Sequence, residues 1–142
     1  MRRGLLILAL LAAGGAPSAA TASDARHPRE FTLLERQWGV QIEYVRQTAA
    51  GYMLEFRYKV VDPAKAAPLF DRALHPMLTH VESGGHYVVP TPAKTGPLRN
   101  SDAPLPGHVY WMFFANPGRV VSPGDHVNIE IGAFRVDGLV VE

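Results

Sequence analysis

The sequence predicts an all-β fold: an antiparallel Ig-like or fibronectin-like sandwich of about seven strands with one or two short helical turns. Three observations predict it. Apolar residues recur with a period of two in WGVQIEYV (38–45), YMLEFRYKVV (52–61) and HVNIEI (126–131), the period of a strand with one buried face. Proline and glycine, 12 and 13 of them in 142 residues, punctuate the chain at short intervals and leave little room for long helices. No cysteine is present, so the fold rests on a core rather than on disulfides. A small closed barrel is the alternative arrangement of the same strands.

Residues 1–22, MRRGLLILALLAAGGAPSAATA, read as a secretory signal peptide. Arg2 and Arg3 supply the charged start, Leu5 to Ala13 an apolar core too short to span a bilayer, and Ala20-Thr21-Ala22 an A-x-A cleavage site. The expected location is therefore periplasmic or secreted, with no membrane span after signal removal. The remaining 120 residues suit one domain. Without Arg2 and Arg3 the mature chain carries twelve basic against thirteen acidic residues, a net charge of −1. With no basic cluster left, nucleic acid and anionic membrane are not expected partners.

Residues 23–31 are polar, contain Pro28, and are expected to form a flexible lead-in to a single sandwich domain at 32–142. Thr32-Leu33-Leu34-Glu35 fits a capping box, and Gly39 can end the short helix it would start. Trp38, Val40, Ile42 and Tyr44 should share one strand face. Tyr52, Leu54, Phe56, Tyr58 and Val60 should share a face of the next strand, so the two runs form a hairpin with Glu43 and Glu55 toward solvent. Asp62-Pro63 marks one helical turn, with the aspartate as N-cap. Residues 77–90 form a second hairpin around Ser83-Gly84-Gly85. PTPAKTGPLRNSDAPLPG (90–107) is too rich in proline for a regular element and reads as a long loop crossing between sheets. HVYWMFFAN (108–116) is apolar on both faces, the mark of a central strand. Asn116-Pro117-Gly118 and Ser122-Pro123-Gly124-Asp125 are turns, Gly132 suggests a bulge or bend, and Asp137-Gly138 a tight hairpin.

Catalytic patterns are missing from the mature sequence. Ser23, Ser83, Ser101 and Ser122 sit beside turn or loop residues and outside any G-x-S-x-G elbow. There is no HExxH, Walker-type or dinucleotide pattern, and Asp62 and Asp125 look like capping or turn residues. The expectation is a non-enzyme without a cofactor.

Metal binding is the competing reading. HPMLTHVESGGHYVVP (75–90) holds three of the six histidines, and imidazole and thioether both suit copper. His75, Met77, His80 and His86 are the candidate ligands for copper or zinc. The strand period argues against their meeting. With an even-numbered hairpin loop His86 shares a face with Thr79 and Met77, and His80 points to the opposite one; an odd-numbered loop would bring His80 and His86 together. The sequence therefore favours no metal site and a binding or accessory module, its partner expected to be another envelope protein. Tyr87 and Arg99 are candidate contact residues by type, and Trp111 reads as core.

WGVQIEYVRQTAAGYMLEFRYKVVDPAKAAPLF and YWMFFANPGRVVSPGDHVNIEIGAFRVDGLVV resemble segments of small secreted bacterial β-sandwich proteins of unknown function. The resemblance spans most of the mature chain and implies no activity, cofactor or site residue.

Overall fold

Gly39 is where the chain changes from helix to sheet. Its φ of +61° is a left-handed conformation that glycine adopts without strain. Its nitrogen donates to Glu35 O (2.9 Å), and its carbonyl accepts from Val61 N and Asp62 N. A Cβ here would lie 2.5 Å from Asp62 O, so glycine is required twice over. The computed structural model describes residues 28–142, with side chains from residue 33 onward. The signal peptide expected at 1–22, the first part of the lead-in and His27 lie outside the described residues.

Helix α1 (Pro28–Trp38) starts at the proline rather than at Thr32. Proline's fixed φ and missing N–H suit a first turn, so the chain is helical through part of the expected lead-in, and Thr32 lies inside the helix rather than capping it. Glu35, expected to reach back to the cap, instead accepts from Gln41 Nε2 at 3.1 Å.

Seven strands follow: β1 (Val40–Thr48), β2 (Met53–Val60), β3 (Met77–His80), β4 (His86–Val88), β5 (Val109–Ala115), β6 (His126–Ile131) and β7 (Phe134–Val140). They form two antiparallel sheets, ordered β1-β2-β5 and β4-β3-β6-β7. The fold is thus an all-β sandwich, as the periodicity predicts. A parallel bridge between Val45 and Val141 joins the sheets at one corner. Between β2 and β3, helix α2 (Pro63–Ala66) is capped by Asp62, whose Oδ1 accepts from Ala64 N and Lys65 N. No helix of the described residues is long and apolar enough to cross a membrane.

The core lies between the sheets. Leu54, Phe56, Tyr58 and Val60 from β2 meet Leu78, Val127, Ile129 and Phe134 from the other sheet, all 0% exposed. Rings reinforce it: Phe56 stacks on Tyr58 at 5.2 Å, and Phe70 meets Tyr110 edge-on at 4.8 Å.

The strand pattern is corrected in three places. The β1–β2 register shifts between Ile42 and Tyr44, a bulge at Glu43 that turns every later side chain of β1 over. Val45 is therefore buried, and Tyr44 lies outside with Arg46 and Arg57 near its ring. Those groups cover Glu55, which is 4% exposed rather than solvated and accepts from both arginines. Strand β5 is at the edge of its sheet, not its centre. Its free edge is covered by the long loop, through Phe113 N to Leu98 O and Asn100 N to Trp111 O, which explains a doubly apolar edge strand. At the C-terminus the two glycine signals exchange roles. Gly132-Ala133 is the turn between Ile131 and its partner Phe134, and Asp137-Gly138 is a bulge within β7, Gly138 N donating to Asn128 Oδ1 at 2.8 Å.

Candidate functional site

Strand β3 ends at His80 and β6 begins at His126, and the strands pair with His80 opposite Val127. Alternation along β3 sends Leu78 and His80 toward the core and leaves Met77 and Thr79 on the outer side. His80 is thus a buried imidazole, 4% exposed, at one end of the sandwich. The chain then turns through the four-residue loop 81–84, closed by His80 N to Gly85 O (2.9 Å) and Gly84 N to His80 O (2.8 Å).

The loop carries Glu82 toward β6. Its carboxylate accepts from His126 N at 2.9 and 3.1 Å, and Oε1 lies 2.7 Å from His126 Nδ1. That side-chain bond to His126 holds the Glu82 carboxyl below its ordinary pKa, against a smaller opposing effect of desolvation. Asp125 arrives from the Ser122-Pro123-Gly124-Asp125 turn. Its Oδ2 accepts from Ser122 N at 2.9 Å, as a turn aspartate does. The same oxygen is 2.9 Å from His80 Nε2, and Glu82 Oε2 is 3.3 Å from that nitrogen.

The other ring nitrogen, Nδ1, lies 2.6 Å from Ser83 Oγ, which also accepts from Gly85 N at 3.2 Å. The serine fixes the ring, so Nε2 is the nitrogen that faces the carboxylates. The point between Nε2 and the two oxygens calls for positive charge: a proton on Nε2, or a metal ion with Nε2 deprotonated. One ligand atom from each of His80, Glu82 and Asp125 lies within 4.8 Å of the others. Three donors of a tetrahedral zinc site, each ~2.1 Å from the ion, stand ~3.4 Å apart. His80 Nε2 stands 2.9 Å from Asp125 Oδ2 and 3.3 Å from Glu82 Oε2, so an ion would need Asp125 to draw back slightly and the Glu82 side chain, 42% exposed, to adjust around it.

No family model, curated protein or solved structure matches the chain. Its chemistry is therefore read from the cluster itself.

The even-numbered loop sets the fate of the other candidates. His86 pairs with Thr79, and its Nδ1 lies 3.1 Å from Thr79 Oγ1. With Ser83-Gly84 alone as the turn His86 would face Val81; the longer loop moves it two residues along. His86 and Met77 share the outer face, opposite His80. His75 is exposed and precedes β3, where it lines a cavity with Arg72 and Arg99. The structure thus brings His80 together with Glu82 and Asp125, and not with Met77 or His86. Tyr87 is half-buried against the core, and Arg99 is buried and bonded to backbone carbonyls.

No motif in the sequence marks Glu82 and Asp125 as ligands: Asp125 is explained by its turn and Glu82 by its place in a hairpin loop. His80-Val81-Glu82 and Asp125-His126 are local hints. Only the pairing of β3 with β6, which joins positions 45 residues apart, makes them one cluster.

Proposed function

We propose that this chain is a non-enzymatic binding module of the periplasm or cell exterior that holds a divalent transition metal, zinc foremost, through His80, Glu82 and Asp125. The observation that carries the metal reading is the convergence of a buried imidazole nitrogen and two carboxylates, each held from behind, His80 by Ser83, Asp125 by Ser122 N and Glu82 by His126. Donors of this kind, one nitrogen and two oxygens without sulfur, suit zinc or Cu(II) and are poor for Cu(I). Partial exposure of both carboxylates, 42% and 28%, gives an ion a way in and leaves a position for water.

The location rests on the charged, apolar and small-residue succession of residues 1–22. An Ig-like or fibronectin-like assignment is supported by the strand order. Sheets β1-β2-β5 and β4-β3-β6-β7 depart from the Ig constant division only in the sheet that the fourth strand joins.

Calorimetric titration of the folded protein with Zn(II), Cu(II) and Cu(I) tests the metal reading. Zn(II) should bind with one site and a Kd below ~10 μM, Glu82→Gln should weaken it at least about tenfold, and His86→Ala should leave it unchanged. Absence of Zn(II) binding at that concentration, with the protein folded, would retire the metal reading and leave a proton-bridged strut between two loops.

A further inference from the structure

The other end of β3 opens onto a cavity of about 670 Å³. Its wall comes from three segments: Arg72 and His75 before β3, Val88 and Val89 at the end of β4, and Thr95 and Arg99 of the long loop. No aspartate or glutamate lines it.

Arg99 is the unusual member. It belongs to a proline-rich loop yet is only 8% exposed. Its guanidinium donates Nη1–H to Leu74 O (2.8 Å) and Nη2–H to Leu69 O (2.7 Å) and Asp71 O (3.3 Å). All three acceptors are neutral carbonyls. The Nε–H is buried and has no acceptor among the described residues. Arginine stays protonated in proteins, and a buried cation normally finds an anion. Burial draws the Arg99 pKa downward, with smaller opposing effects from Tyr58 and the Asp71 charge.

A purely structural role accounts for the three carbonyl bonds, which tie the long loop to the segment before β3. It does not account for a lining that holds no carboxylate while Arg72, His75 and Arg99 all border the cavity. The rest of the wall combines apolar groups, Leu74, Pro76, Val88 and Val89, with the hydroxyls of Thr91, Thr95 and Ser101, and so suits a ligand with both a hydrocarbon body and a polar head.

We propose that this cavity binds a small organic monocarboxylate, its carboxylate held by Arg99 and Arg72 and its aliphatic or aromatic body packed against the apolar part of the wall. The site is independent of the His80 cluster, which lies at the far end of β3.

The test is titration of the folded protein with hexanoate, its uncharged isostere hexanamide, and inorganic phosphate, read by calorimetry and by the Arg99 Nε–H resonance. Hexanoate should bind with a Kd below ~1 mM and shift that resonance. Hexanamide and phosphate should each bind at least about tenfold more weakly. Arg72→Gln should weaken hexanoate about threefold or more. Val88 is 58% exposed, so Val88→Glu should place a competing carboxylate at the cavity, abolish binding and leave the melting temperature unchanged. No response to hexanoate at ~10 mM would overturn the proposal, as would equal affinity for hexanamide or phosphate, or unaltered binding in folded Val88→Glu protein.

Discussion

Tyr58 places a hydroxyl in the core without giving it a partner. The residue is 0% exposed, packed by Phe56, Phe70 and Tyr110, and its oxygen has no hydrogen bond among the described residues. Burial pushes its pKa well up, with the Arg99 charge opposing. An unsatisfied buried hydroxyl costs about 1–3 kcal/mol, whereas the ring makes the favourable contacts. Tyr58→Phe should therefore raise stability by about 1 kcal/mol, read as a higher urea midpoint with unchanged slope. A loss of stability would mean that the hydroxyl has a partner in solution. Glu82 supports a second residue-scale expectation. Because its folded pKa is depressed by His126, its contribution to stability is present above the unfolded carboxyl pKa and is lost as pH falls through the lower folded value. In metal-free protein the Glu82 carboxyl should titrate below an ordinary glutamate by NMR, and His126→Ala should move it back upward.

At the scale of elements, Asn116 joins the β1–β2 connection to the β5–β6 connection. It is 0% exposed; Nδ2 donates to Gly51 O and Val121 O, both at 2.9 Å, and Oδ1 accepts from Val121 N at 3.1 Å. Asn116→Ala would orphan Gly51 O and Val121 N, while Val121 O keeps its bond from Gln47 Nε2 at 2.9 Å. It should cost about 2–4 kcal/mol, measured by chemical denaturation, while Ser122→Ala nearby should cost little. Sequence periodicity made the strands legible because a half-buried strand repeats every second residue: Leu54, Phe56, Tyr58 and Val60 lie inward as read, whereas Tyr52, before β2 begins, is exposed. It could not place the bulge at Glu43, because one extra residue inverts the faces without changing composition. Nor could it separate a glycine that turns from one that bulges. Gly132 and Gly138 both have positive φ, at +59° and +66°, and only the partner strand distinguishes them. The candidate metal cluster was half legible: His80 stood out by type, whereas Asp125 had a sufficient explanation as a turn residue and in fact serves as both.

The whole molecule places its two candidate sites at opposite ends of one short strand, His80 at the end of β3 and the Arg99 cavity at its beginning. Both are assembled by loops that meet only after the sheets have paired. Each therefore exists in the folded state and not in the unfolded chain, and a ligand of either must stabilise the fold by mass action. For zinc the expectation is quantitative. At a free concentration of 100 times Kd the gain is about 2.7 kcal/mol, which for a domain of this length corresponds to a rise in Tm of about 10 °C. Zinc that binds the six histidines at random would also bind the unfolded chain and give a much smaller rise. Differential scanning calorimetry with stepped Zn(II) should therefore show a Tm that climbs with the logarithm of free zinc, returns to its starting value on chelation, and climbs far less in Glu82→Gln protein. A rise that persists undiminished in Glu82→Gln, or that disappears in His86→Ala, would place the ion elsewhere on the sandwich.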